Sequence, residues 1–372
     1  MGVHCVDALL PSAEVDQLER VWHRFPFYDA VRQRPAREPR PAGESPNESV
    51  PSSDLRALTP HTDASTPALP GRFPGLMGRD DVEMHFRQHG CAAGRAALDA
   101  GLARTNYFGA NYVYHDEIAV PGIENFLHSD DFIEAARLIF DLPLVVPTLV
   151  YANVMVPGQE LPVHTDIPEF LGADRSQLPM WLLVVMHHSG LFEDRRIATA
   201  TAVAYLESGA GGEFAYYETG GRAMTVAPAP GRAVVLDADS VFHAVLPVGA
   251  EADQPPFDRA FMRLHRHGIR RWQLSSRGAE GPEIMASYSS DELRYSVSRK
   301  AYCFADQRQY RAWREGVDPL DHEFVLGRLV EALVERGVLE SPAHALSDRE
   351  LATLLITEFI KFPDTTDGGR VS

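Results

Sequence analysis

The chain has 372 residues, 45% hydrophobic and 23% charged, a globular mixture able to bury a sizeable core and to carry flanking segments around one elaborated domain. Its formal net charge of −17 argues against a polyanionic nucleic-acid partner and against an anionic membrane surface. Three scattered cysteines, Cys5, Cys91 and Cys303, form neither a Cys-x-x-Cys zinc pair nor a disulfide framework, so a reducing, cytoplasmic setting is expected. No basic-then-apolar leader opens the sequence, and its longest apolar runs, such as Trp181–Met186, are far too short to span a bilayer.

Val15, Leu18 and Trp22 share one face of a short helix that Ser12 is positioned to cap. Residues 34–75 are rich in Pro, Ser and Arg with no apolar period, and read as an irregular or partly disordered insert. Residues 79–104 have helical spacing, Tyr107–Tyr114 suits a strand, and Ser129 or Asp130 caps a helix over Phe132–Phe140. From Leu142 the pattern becomes strand-like. Leu144–Val156, Trp181–His187, Ala198–Leu206, Glu213–Tyr217, Ala223–Ala227, Arg232–Leu236, His243–Val248 and Arg259–His265 are short runs separated by Gly/Pro turns. Such a series predicts a mainly β core with flanking helices, built as a two-sheet sandwich or barrel. After about residue 275 the chain is expected to turn helical, over 306–315, 321–336 and, behind a Ser347/Glu350 capping box, 351–356.

His-x-Asp occurs three times, and context separates the copies. His61-Thr62-Asp63 lies in the irregular insert, and His128-Ser129-Asp130 is explained by the start of a helix. His164-Thr165-Asp166 sits among strands, where residues i and i+2 share a face. With His243 downstream, it offers two imidazoles and one carboxylate with positions left open, the facial set of non-haem Fe(II) oxygenases. His187-His188, read as neighbours on a strand, would face opposite sides and not share a metal. The basic cluster Arg263, His265, Arg266, His267, Arg270 and Arg271 is read as an exposed strand end, and Glu213 as structural.

In this order and spacing the chain resembles the Fe(II)/2-oxoglutarate-dependent dioxygenases, in their prolyl-hydroxylase-like branch. The resemblance rests on Pro157-Gly158 before Leu161–Asp166, Tyr205-Leu206 before Gly211–Phe214, Pro230–Leu236, His243–Val248 and Arg259–Met262, and covers roughly residues 148–267. It implies a double-stranded β-helix (jelly-roll or cupin-like) barrel. It also implies Fe(II) on His164, Asp166 and His243, with 2-oxoglutarate as cosubstrate, O2 as oxidant and ascorbate as an optional accessory. In the family a basic residue about ten positions after the second His binds the distal carboxylate of 2-oxoglutarate. Here residues 249–258 intervene, which makes Arg259 the candidate and Arg263 its alternative. Polar residues before the metal motif, Tyr151 and Asn153, are candidates to touch 2-oxoglutarate, with core and turn roles equally open. Asp166 favours hydroxylation or desaturation over halogenation.

The expected organisation is an N-terminal helical segment (1–33), the Pro/Ser-rich insert (34–75), a catalytic jelly-roll domain with supporting helices (76–275) and a C-terminal helical extension (276–372). The substrate would be a small molecule or an amino-acid or peptidyl side chain, shaped by the loops over 170–180 and 192–197. Two other readings stay open: a cupin-type metal enzyme that does not use 2-oxoglutarate, and a non-catalytic binding protein of the same fold.

Overall fold

The computed structural model describes residues 3–6, 10–30, 107–175, 177–209, 211–218, 221–249, 261–278, 281–340 and 346–363. The insert at 34–75, the helix expected over 79–104 and Arg259 lie outside these residues.

The N-terminal part contributes β1 (Val3–Val6), helix α1 (Ser12–Arg24) and β2 (Phe27–Ala30). Ser12 is the first helical residue rather than the cap, because Pro11 stands at the cap position with φ −53 and ψ 147. Next come β3 (Phe108–Tyr114), the two-residue β4 (Glu117–Ile118), the one-turn α2 (Glu124–Leu127) and α3 (Asp130–Phe140). The long apolar run forms β5 (Leu144–Met155), followed by β6 (Leu161–His164) and β7 (Glu169–Phe170). Between β5 and β6, Gly158 turns the chain at φ +90, and the buried Gln159 side chain accepts from the Val156 amide at 3.0 Å.

Trp181–His187, expected as a strand, is helical: it belongs to α4 (Met180–Ser189). Pro179 starts this helix and Gly190 ends it in the left-handed region at φ +70. Met180 through Met186 are all buried, so the helix has no polar stripe and its run of apolar residues reads like an interior strand.

The strands β8 (Arg196–Tyr205), β9 (Phe214–Tyr217), β10 (Ala223–Val226), β11 (Ala233–Asp237) and β12 (His243–Val245) follow the expected series closely. Past residue 275 the expectation of helix fails at first. A meander of β13 (Arg263–Arg266), β14 (Arg271–Gly278) and β15 (Gly281–Ser289) leads into β16 (Arg294–Phe304). Helices begin only afterwards, with α5 (Gln307–Glu315), α6 (His322–Glu335) and α7 (Asp348–Phe359), the last closed by the expected Ser347/Glu350 capping box.

Among the described residues these strands form two mainly antiparallel sheets. The large one runs β1-β11-β8-β16-β5-β3-β2-β13-β14-β15, and the small one runs β10-β9-β12-β6. Strand β16 lies at the centre of the large sheet, between β8 and β5. Its odd-numbered residues Tyr295, Val297 and Ala301 join the core under α1, α2 and α3, where the Trp22 and Tyr295 rings stack at 4.2 Å. The opposite face looks toward the small sheet. There Tyr205, Val234 and Leu236 of the large sheet pack with Phe214 and Val226 of the small one. A separate apolar cluster joins α4, α6 and α7, and touches Ile167 and Phe242 beside the metal-ligand candidates. The C-terminal helices therefore brace the segments that carry the candidate site. Among the described residues no helix is long and apolar enough to cross a membrane.

Candidate metal centre

His164 ends β6 and His243 begins β12, and antiparallel pairing sets the two residues opposite each other. Their rings lie 4.4 Å apart between centroids. Each imidazole is turned by its own strand: His164 Nδ1 donates to the Pro162 carbonyl at 2.7 Å, and His243 Nδ1 to the Val241 carbonyl at 2.8 Å. A carbonyl can only accept, so the proton sits on Nδ1 and the Nε2 lone pair is the ligating atom. The chain leaves β6 and its Asp166 amide donates to the Ala238 carbonyl at 2.8 Å, which swings the carboxylate toward the imidazoles. Asp166 Oδ1 is 3.9 Å from His164 Nε2 and 3.5 Å from His243 Nε2. The ligand atoms of these three residues all lie within 4.8 Å of one another, the one such group among the described residues. Two imidazole nitrogens and one carboxylate oxygen brought this close together are a donor set suited to a divalent iron.

The other carboxylate oxygen has a different partner. Lys300 on β16 donates to Asp166 Oδ2 at 2.6 Å. Burial would raise the Asp166 pKa, but the Lys300 ammonium and the His243 and His164 imidazoles outweigh it and hold the group well below the usual carboxylate range. Asp239 is buried nearby, and desolvation pushes it up to about 7, Asp237 adding to the rise while Lys300 and Arg196 oppose it.

The two histidines on α4 do not join the centre. His187 Nε2 meets Ser240 Oγ at 3.0 Å and His188 Nε2 meets Thr165 Oγ1 at 3.3 Å. Burial, helped by Arg196, pushes their pKa values down to about 3 and about 4, so both are neutral supports behind the ligand-bearing loops. Their strand-based separation is corrected: they are successive helical residues.

Inside the barrel, alternation along β16 puts Arg294, Ser296, Ser298 and Lys300 on the inner face. Across from them on β5 stand Met155, Asn153 and Tyr151, paired with Arg294, Ser296 and Ser298. The Tyr151 phenol hydrogen-bonds Ser298 near Asp166; burial and that carboxylate push its pKa up to about 12, so it stays protonated. The Oδ1 of Asn153 and, on β8, the Oγ1 of Thr201 are buried without a hydrogen-bond partner. Orphaned acceptors on one inner wall point to a ligand or water that completes them. Beyond Lys300 the interior opens into a cavity lined by Tyr114, Thr148, Glu169, Arg175, Thr199 and Tyr302.

Arg294 was not singled out from the sequence. It is 2% exposed, and its Nε donates to the Gly212 carbonyl at 2.7 Å. NH1 reaches Ser296 Oγ at 3.0 Å and Met155 Sδ at 3.9 Å, and NH2 reaches the Tyr205 hydroxyl at 3.4 Å. No carboxylate among the described residues pairs with it. Gly212 makes room for it: a Cβ there would lie 2.6 Å from Arg294 Cδ, on a backbone at φ +71. A buried guanidinium with only neutral partners is costly unless an anion completes it. The period-two alternation of polar Arg294, Ser296 and Ser298 with apolar Tyr295 and Val297 was the signal that could have found it.

Arg263, the alternative to Arg259, lies elsewhere. Its Nε donates to Asp29 Oδ1 at 2.6 Å and its guanidinium lies 3.9 Å from the centre of the Phe27 ring, on the same face of the large sheet as Asn153 but three strands to the side of β5. Arg266 likewise donates to the Trp22 carbonyl at 2.9 Å. These members of the basic cluster tie the β13–β14 hairpin to the N-terminal segment.

The sequence matches no family model and no curated protein. Among solved structures, an oxidoreductase of the 2OG-Fe(II) oxygenase family from Burkholderia pseudomallei aligns at TM-score 0.29 and 13% identity, over 53% of this chain and just under two thirds (66%) of that one. HygX from Streptomyces hygroscopicus, solved with nickel, 2-oxoglutarate and hygromycin B, aligns at 0.36 and 10% identity, over 81% and 83% of the two chains. A prolyl hydroxylase from Trichoplax adhaerens, in complex with a hypoxia inducible factor peptide, aligns at 0.36 and 12% identity, over 83% and 86%. With these scores the functional reading rests on the chain's own geometry.

Proposed function

We propose that this chain is an Fe(II)- and 2-oxoglutarate-dependent oxygenase that hydroxylates or desaturates a small molecule or an amino-acid side chain. The observation that carries the reading is a convergence inside one barrel. A facial two-His, one-carboxylate set and a buried guanidinium with no carboxylate partner among the described residues face the same inner wall. Such a pairing fits a cosubstrate with a chelating oxoacid at one end and a second carboxylate at the other. His164, Asp166 and His243 hold the metal. Arg294, rather than Arg259 or Arg263, pairs with the distal carboxylate through NH1 and NH2, the planar fork being well matched to a carboxylate. Tyr151, Asn153 and Thr201 line the path between and offer hydrogen bonds to the cosubstrate.

When bound, iron and 2-oxoglutarate supply the oxidising chemistry, with O2 consumed, succinate and CO2 released, and a substrate C–H bond oxidised. The protein's share is to orient, to neutralise and to exclude water. The Nδ1 hydrogen bonds lock both imidazoles, and the apolar cluster around Ile167 and Phe242 holds the ligand-bearing segments. Substrate enters through the cavity beyond Lys300, beside Glu169 and Arg175.

The test is anaerobic titration with Fe(II) and then 2-oxoglutarate, followed by succinate release on admitting O2. Wild type should bind both and release succinate even without its substrate, and His243→Ala should lose iron and turnover together. Iron binding without 2-oxoglutarate binding would return the chain to the cupin-type reading, and binding of neither would leave only a binding protein.

A further inference from the structure

Lys300, on the inner face of β16, touches the ligand set itself. Its Nζ lies 2.6 Å from Asp166 Oδ2, while Asp166 Oδ1 faces the two imidazoles at 3.5 and 3.9 Å. One carboxylate is thus divided between an ammonium and the metal position. The lysine is fixed in this role by its surroundings. Its strand is central, its side chain is 13% exposed, and Thr201 and Leu149 flank it in register.

The charge count has a consequence. With Nδ1 of each ring donating to a carbonyl, a metal would be met by the Nε2 lone pairs of two neutral imidazoles, and Asp166 and Lys300 then leave the ligand set formally at zero. A divalent cation arriving alone meets an ammonium on the far side of its only anionic ligand. A dianionic chelator arriving after the metal restores neutrality and is attracted by the same ammonium. The other charged groups in reach do not cancel this. Arg196 and Asp237 pair with each other at 2.6 Å, and burial raises Asp239 to about 7, so its charge near neutral pH is only partial. Glu169 and Arg175, opposite in sign, both line the outer cavity.

We propose that Lys300 couples the two binding events: it weakens the metal when bound alone and strengthens the dianionic cosubstrate on the metal-loaded site, so that the pair loads cooperatively. The idea rests on the proposed 2-oxoglutarate-dependent reading. Unit charges roughly 5 Å apart at an effective dielectric near 20 interact strongly enough that each effect should reach about tenfold even after screening.

The experiment compares wild type with Lys300→Met, which keeps the length and removes the charge, and Lys300→Arg, which keeps the charge. Mn(II) binding without cosubstrate is followed by electron paramagnetic resonance, and 2-oxoglutarate binding to the Mn(II)-loaded protein by calorimetry. Lys300→Met should bind Mn(II) about tenfold more tightly and 2-oxoglutarate about tenfold more weakly, and Lys300→Arg should stay within about threefold of wild type for both. The opposed signs are diagnostic, because a merely structural lysine would weaken both on removal. Loss of both affinities in Lys300→Met, no change in either, or an arginine variant that behaves like methionine each overturns the proposal. Wild type that binds neither ligand removes the functional reading and the coupling with it. Wild type that binds both, with Lys300→Met unchanged, removes the coupling alone.

Discussion

Arg294 and Arg299 leave the same strand on opposite faces, 2% and 0% exposed, and they do different work. Arg299 points under the helices. It donates to the Phe126 carbonyl at 2.7 Å, stands 3.7 Å from Glu14, and lies between the Phe126 and Phe132 rings at 4.4 and 4.5 Å. Burial brings its pKa down to about 10, while Glu14 and Asp131 resist that fall. The chain supplies its countercharge and its packing, the aromatic faces standing in for hydrogen-bond partners at Nε and NH2. Arg294 points into the barrel and has hydrogen bonds but no carboxylate partner among the described residues. Burial of a charge therefore does not mark a site by itself. What marks it is a countercharge missing among the described residues, facing an interior that also contains the candidate metal-ligand set.

The sharpest way to break this contrast is to remove each charge in turn. Arg299→Met leaves Glu14 without its cation, and should lower the unfolding free energy by about 3 kcal/mol in urea at neutral pH. It should leave the 2-oxoglutarate affinity of the metal-loaded protein unchanged. Arg294→Met should do the reverse. Loss of its charge-assisted pair should weaken 2-oxoglutarate about a hundredfold by calorimetry, with stability held or slightly raised because a lone buried charge is gone. If both variants lose stability and both keep 2-oxoglutarate, the two arginines are equivalent and the contrast fails.

A smaller effect is expected at Gly212→Ala. The added Cβ would lie 2.6 Å from Arg294 Cδ, at φ +71, so the guanidinium must move. Cosubstrate affinity should fall about tenfold, with about 1 kcal/mol of strain in the fold. Least of all, Tyr295→Phe probes the outer face again. Tyr295 belongs to a cluster of three buried hydroxyls with Tyr28 and Tyr112, the Tyr28–Tyr112 and Tyr112–Tyr295 contacts each 2.9 Å long. Its loss should cost about 1 kcal/mol in thermal or urea unfolding and nothing in cosubstrate affinity.

Much of the candidate site is readable along the chain, because strand alternation is a local rule. His164 and Asp166 stand two apart, the Pro157-Gly158 turn precedes them, and His243 follows at the start of another short apolar run. The series of strands from 144 to 245 and the Ser347/Glu350 cap obey equally local rules. The position of the proposed anion anchor, Arg294, does not. Counting onward from His243 leads to Arg259, which lies outside the described residues, or to Arg263, whereas the strand between β5 and β8 that carries Arg294 comes only at β16, after the β13–β14–β15 meander. That strand and helix α4 are buried on nearly every side, which erases the contrast between wet and dry faces from which sequence patterns are read. Lys300 is the extreme case. No spacing rule links it to Asp166, which is 134 residues away, and only the packing of the large sheet against the small one brings the ammonium to within 2.6 Å of the carboxylate. Sequence by itself determined which residue types could bind a metal and on which strands they lie; tertiary structure decided which cations face them, because sheet order is set by long-range pairing that local periodicity does not encode.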